Sequence, residues 1–234
     1  MSAEHRLNVA GIYGKHPGFG DFIASGLPDS CLNPLGDWMQ AALGEWRAQI
    51  GESWQNRFDL SPRLNFWIGP ALLGGEALRG IWTPSHDRTG RRFPLIVAQV
   101  TTGPAPVTEP SQDFYIAAST ALTGLLDSDG FDPRDVANRL QSELPGQVSP
   151  GGQPGWPTFW ALNPELGPET LLENLRSADH AHAVTARSYW WFAGASTPAS
   201  GVLACQGLPG LSELDWLLAG GRQADAAPGG EDVA

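Results

Sequence analysis

Lysine is almost missing from this chain. Of its 14 basic residues only Lys15 is a lysine, and 25 acidic residues set the formal net charge at −11. Nucleic-acid affinity rests largely on Lys and Arg neutralising phosphates, so this balance excludes a general DNA or RNA binder. It argues equally against docking on anionic lipid. Long apolar runs are absent too. No stretch approaches the ~18 residues of a membrane-spanning helix. The start, MSAEHRLNVAGIYG, lacks the basic n-region and apolar h-region of a signal peptide. The expectation is a soluble, cytoplasmic protein with no direct membrane insertion. Cysteine is scarce: Cys31 and Cys205 are far apart, with no CxxC or metal-ligand spacing. Two buried free thiols in a reducing compartment are expected. Serine-nucleophile motifs are missing, with neither GxSxG nor SxxK. No catalytic residue, cofactor or metal is expected.

What is present is a core-forming chain of 234 residues with ten tryptophans. This size fits one large domain over 1–222, with possible lobes 1–104 and 105–222, and a disordered tail at 223–234. Residues 7–13 read as a strand and 15–28 as a Gly/Pro-punctuated loop. Pro34, with Asn33 as N-cap, suits a helix start. Leu35, Trp38, Met39, Ala42, Leu43, Trp46 and Ile50 then recur at helical spacing. A short helical turn is expected over 52–58. Residues 63–68, 77–83 and 92–101 read as strands with gaps short enough for hairpins, an antiparallel meander packed on the first helix. Helices are expected at 110–126, at 132–144 with Asp132 as N-cap, at 169–177 and at 211–218. Further strands are expected at 156–162, 188–192 and 201–205, and 145–155 reads as the most loop-like segment. The irregular order of helices and strands lacks a βαβα rhythm. It predicts an α/β fold: a mixed, largely antiparallel sheet with helices on both faces, a three-layer α/β/α sandwich.

Three stretches stand out. GIYGKHPGFGDF, residues 11–22, resembles a damaged phosphate loop. A Walker A loop needs Ser or Thr after Gly-Lys to reach Mg²⁺, and here Gly14-Lys15 precedes His16-Pro17, which also removes an amide donor. A dinucleotide fingerprint fails because Ile23 stands at its third glycine. The glycines then serve positive φ and close packing, with Lys15 and Asp21 as a local ion pair or surface charges. In PSHDRTGRRFPL, residues 84–95, Asp87 and Gly90 suit a turn, and the Arg91 fork could reach Asp21. In SYWWF, residues 188–192, Trp190 and Phe192 share one strand face, and Tyr189 and Trp191 the other. A partly exposed set would make an interface anchor. His180 and His182 beside Asp179 fall short of a metal-ligand set, and His5 and His16 have no evident companions.

In this order the motifs resemble the TagF/ImpM family of type VI secretion-associated proteins. Tyr13-Gly14-Lys15-x-Pro17, Gly20-Asp21-Phe22 and Leu27-Pro28 match its first signature, followed by Trp38 on the next helix. Pro84, Ser85, Asp87, Gly90, Arg91, Phe93, Pro94 and Leu95 match its second. Ser188, Trp190 and Trp191, followed by Gly207-Leu208-Pro209, match its third. One departure is Phe19, where the family often has a small or basic residue. The resemblance implies an α/β sandwich and a non-enzymatic accessory regulator. It implies a post-translational repressor that binds the forkhead-associated scaffold protein of the secretion system. The candidate interaction residues are Gly14, Lys15, Pro17, Gly20, Asp21, Phe22, Asp87, Gly90, Arg91, Trp190 and Trp191. The alternative is a small hydrolase or nucleotide-binding enzyme. It requires Lys15, Asp21, Asp87 and Arg91 to converge in one open cleft.

Overall fold

The computed structural model describes residues 9–146, 183–193 and 200–222. Its strands are β1 (Ala10–Gly14), β2 (Ile23–Ser25), β3 (Leu64–Ile68), β4 (Ala77–Thr83), β5 (Leu95–Thr101), β6 (Arg187–Phe192) and β7 (Gly201–Gln206). Its helices are α1 (Asp29–Ile50), α2 (Trp54–Asp59), α3 (Asp113–Leu126), α4 (Pro133–Glu143) and α5 (Leu211–Leu218). The strands form one sheet in the order β2-β1-β5-β4-β3-β6-β7. Every pairing in it is antiparallel.

The central strands are covered on both faces, although they carry Arg79 and Gln99 among their apolar residues. All residues of β4 and of β5 are buried. On one face Phe66, Trp82, Ile96 and Trp190 pack against Leu35, Met39 and Trp46 of α1, Phe58 of α2 and Leu217 of α5. On the other, Ile12, Ile81 and Val97 meet Phe114 and Leu122 of α3 and Val136 and Leu140 of α4. The result is the expected three-layer sandwich, with the 63–101 meander at its centre. Among the described residues no helix is long and apolar enough to cross a membrane.

Boundaries differ from the sequence reading in instructive ways. Helix α1 begins at Asp29, so Pro34 lies inside it and Asn33 is no cap. Leu27, Cys31 and Leu35, spaced i, i+4, i+8, are all buried against the sheet, and that burial outweighs the amide lost at Pro34. Strand β2, with three residues, is too short to show in the pattern of the 15–28 loop. Strand β5 starts at Leu95, because Pro94 has no N–H to give the ladder; Arg92 makes only an isolated bridge to His86. The Asp132 cap is as expected: its Oδ1 accepts from the Arg134 amide at 2.7 Å, with Pro133 in the first helical position. Both cysteines are free, but Cys205 is only half-buried. The segments expected at 156–162 and 169–177, most of 145–155, the 223–234 tail, His5, and His180 and His182 with Asp179 lie outside the described residues.

Candidate functional site

The first two signature loops meet where β1 ends. Gly14 has φ of 131°, and a Cβ there would sit 1.9 Å from the Pro94 carbonyl oxygen. Only glycine tolerates both that conformation and that approach. The next amide, Lys15 N–H, donates to the same carbonyl at 3.2 Å. This stitching lays loop 15–22 against loop 84–94 and turns the Lys15 side chain inward. Lys15 is 6% exposed and Asp87 0%. Lys15 Nζ donates to Asp87 Oδ2 at 2.9 Å and lies 4.9 Å from the centre of the Phe22 ring.

Asp87 accepts from every side. Its Oδ1 takes the Thr89 amide at 2.9 Å, the Thr89 hydroxyl at 2.7 Å and the Arg91 amide at 3.0 Å. Its Oδ2 takes Lys15 Nζ and also Arg91 Nε at 2.6 Å. Burial pushes its carboxyl up. The hydrogen bonds from Thr89, Lys15 and Arg91 outweigh that and hold it far below the usual carboxylate range. Gly90, at φ 82°, closes the turn by donating its amide to the Asp87 carbonyl at 2.9 Å. Asp87 thus caps its turn as its sequence context predicts.

The turn also grips the backbone of the first loop. The Arg88 amide donates to the Phe19 carbonyl, its Nη2 to the Gly18 carbonyl and Arg91 Nη2 to the Gly20 carbonyl, at 2.8, 2.8 and 2.7 Å. Two expectations fall here. Arg91 does not pair with Asp21, because Asp87 is four residues away on the same turn and already buried. Asp21 Oδ1 instead accepts the Phe22 amide at 2.8 Å. Lys15 is neither Asp21's partner nor a surface contact; it is an internal cation.

His16, which lacks companions in the sequence, is a third anchor. It is fully buried. Its Nδ1 accepts the Gly18 amide at 3.0 Å, so Nε2 carries the proton and donates to the Leu125 carbonyl at 2.8 Å. Phe19 and Phe131 pack edge-on against its ring. The side chain at the departure position Phe19 therefore lines this packing. Burial lowers the His16 pKa; the Leu125 bond opposes this and His86 adds to it.

A phosphate cradle needs free amides and an available cation. Here the amides of Lys15, Gly18, Phe19 and Phe22 are committed within the protein, and the ammonium faces a carboxylate. Lys15, Asp87 and Arg91 converge, but Asp21 does not join them, and the convergence is closed. A cavity of about 700 Å³ lies elsewhere, beside α3, lined by Arg63, Tyr115, Ile116 and Thr123 among others. The clamped loops present outward Gly20, Asp21, Phe22, His86, Arg88, Thr89, Gly90 and Arg91, with Pro17 half-buried. Phe22 is 42% exposed and rests on Tyr13 and Phe93.

The third signature sits elsewhere, on the α1 face. Ser188 Oγ donates to the Gly207 carbonyl at 2.6 Å and accepts Trp190 Nε1–H at 3.0 Å. Trp38 Nε1 donates to the Pro209 carbonyl at 2.9 Å, and its ring lies 5.2 Å from that of Trp190. Trp190 is 1% exposed, which places it in the core. Trp191, on the other face, is half-buried against Tyr115, with its Nε1 donating to Gln112 at 3.0 Å. Both faces of SYWWF are therefore covered, with Trp191 as the partly open member.

Against known families, residues 11–142 match the model described as the TagF N-terminal domain, type VI secretion system-associated. The matched range contains both clamped loops. Among solved structures, the crystal structure of PA0076 from Pseudomonas aeruginosa PAO1 is similar, with a TM-score of 0.70 and 27% identity. The match covers 96% of this chain and 100% of that one. No curated protein matches the chain.

Proposed function

Since the chain belongs to the TagF family of type VI secretion-associated proteins, we propose that it is a non-enzymatic, cytoplasmic regulator of that secretion system. In this reading it represses assembly post-translationally by binding the forkhead-associated scaffold protein. The observation that carries the reading is the closed Lys15–Asp87–Arg91 cluster. Lys15 and Asp87 are committed to holding two loops rigid, and rigid loops lower the entropic cost of binding a partner. The contact surface is then the outer side of those loops, centred on Phe22, with Asp21 and Arg91 beside it. An aromatic flanked by charge of both signs is a fitting anchor.

The direct test is capture of the purified chain on immobilised scaffold. Wild type is retained, and Phe22→Ala and Asp21→Ala are retained less while unfolding at nearly the wild-type temperature. Overexpression of wild type lowers type VI effector secretion, and the two variants restore it. Wild type that passes through the scaffold column at low salt removes the proposed partner. Unchanged secretion on overexpression removes the repressor role.

A further inference from the structure

Across the sheet, one cross-strand row facing α3 holds Gln99 of β5, Arg79 of β4, Trp67 of β3 and Tyr189 of β6. A buried arginine in mid-sheet is costly unless something answers its charge. Arg79 is 5% exposed. Its Nε donates to Gln99 Oε1 at 2.9 Å, and its Nη2 to Gln99 Oε1 and to the Pro145 carbonyl. These acceptors are all neutral. The Phe114 ring covers the guanidinium at 4.0 Å. Among the described residues no carboxylate lies within ion-pair distance of it, and Nη1 has no hydrogen-bond acceptor. Burial lowers the guanidinium's pKa to about 10; Tyr115 and Glu109 act in the opposite sense.

Two neighbours are also short of partners. Trp67 Nε1 and Gln99 Nε2 are sealed from solvent and make no hydrogen bond, although buried N–H donors in folded proteins nearly always find one. Trp67 and Arg79 both line a cavity of about 140 Å³. Its other walls include Phe114, Tyr115 and Pro104, with Glu109 and Asp113 exposed at the rim. Phe114 belongs to the first turn of α3, where the helix dipole adds partial positive charge.

We propose that this cavity is a binding site for a monocarboxylate with a short apolar body, its carboxylate held by Nη1 of the Arg79 guanidinium. Gln99 and Pro145 take up the Nε/Nη2 edge, so Nη1 keeps its two N–H donors for a charge-assisted bond, and the aromatic and proline walls suit a few methylenes. The space equals nearly five waters at ~30 Å³ each, which limits the ligand to a few carbons or to one chain terminus. The rim carboxylates repel multiply charged anions, so phosphate and dicarboxylates are disfavoured. None of these residues belongs to the clamped loops, so the proposal stands apart from scaffold binding.

The test is thermal unfolding of the full chain, followed by circular dichroism, with sodium propanoate titrated against sodium chloride at equal ionic strength. A second arm uses a short alanine-ending peptide and its C-terminal amide. Propanoate raises the unfolding temperature saturably and chloride does not, as expected for a ligand that binds only the folded state. Arg79→Met abolishes the rise. Arg79→Lys keeps a cation without Nη1, and weakens binding roughly tenfold, the worth of one hydrogen bond to a charged group. A response to propanoate marks a free carboxylate as ligand. A response only to the peptide acid, lost on amidation, marks a protein C-terminus. A wild type indifferent to both, or an Arg79→Lys variant that binds as tightly as wild type, overturns the proposal.

Discussion

Single side chains in the clamp carry distinguishable loads. Lys15→Met leaves Asp87 buried with one cation fewer, and Asp87→Asn leaves Lys15 buried without its counter-ion. Each lowers the unfolding temperature by several degrees. Because the two residues belong to one network, the double variant loses less than the sum of the singles. A double-mutant cycle by urea unfolding reads this coupling, and strict additivity would show that the pair is not coupled. His16 acts in a different pH range. Its native pKa is lowered, so the unfolded chain takes up the proton more readily, near the ordinary value of about 6.5. Its contribution is complete above that pH and is lost as the pH falls toward the native pKa. A proton on Nδ1 would face the Gly18 N–H, so the acceptor is lost with it. Asp87, with its pKa depressed, titrates only below about pH 4. Wild type therefore loses stability as the pH falls below the ordinary histidine value of about 6.5. His16→Gln is weaker at neutral pH and lacks that component, and unfolding curves at stepped pH would separate the two. The two roles differ in how legible they are. Asp87 as turn cap follows from its own tetrapeptide, whereas the His16 acceptor lies 109 residues away at Leu125.

Elements were legible where burial repeats with a regular period. The 77–83 strand and the 211–218 helix are both legible to the residue: turn signals at Gly74-Gly75 and 84–90 bound the first, and an apolar stripe marks the second. Legibility failed where tertiary contact overrides local preference. Pro34 signals a helix start, yet the Leu27–Cys31–Leu35 stripe carries α1 past it. The pairing of the third signature was likewise hidden. Nothing local says that Trp38 on α1 holds the Pro209 carbonyl just before α5. That junction gives a measurable hierarchy. Trp190→Ala opens a cavity among Trp38, Phe66 and the sheet, and costs about 3–5 kcal/mol. Trp38→Phe keeps most of the packing and strands one carbonyl, at about 1–3 kcal/mol. Urea midpoints with unchanged m-values check the order; equal losses would place the weight in the hydrogen bond rather than in the ring.

At the scale of the molecule, the two groups of signatures lie on different parts of one sheet. The clamp fastens the β1–β5 side, and the Ser188–Trp190–Trp38 junction fastens the β6 side to α1. The seam between them is the pairing of β3 with β6, which joins Asn65–Ile68 to Ser188–Trp191. More than a hundred residues separate the two strands in the chain. A ribosome therefore delivers β2-β1-β5-β4-β3 long before β6 exists. Through that interval β3, with the sequence LNFWI, is a bare sheet edge, and Phe66 waits for the Trp190 ring. Such an edge is a template for pairing with other chains. A chain stopped after residue 146 retains the clamp and both of its loops, and is expected to self-associate in a concentration-dependent way by light scattering where the full chain stays dispersed. The last strands to be made act as the fold's own edge guard, and their timing, rather than the clamp, sets how safely the protein is born.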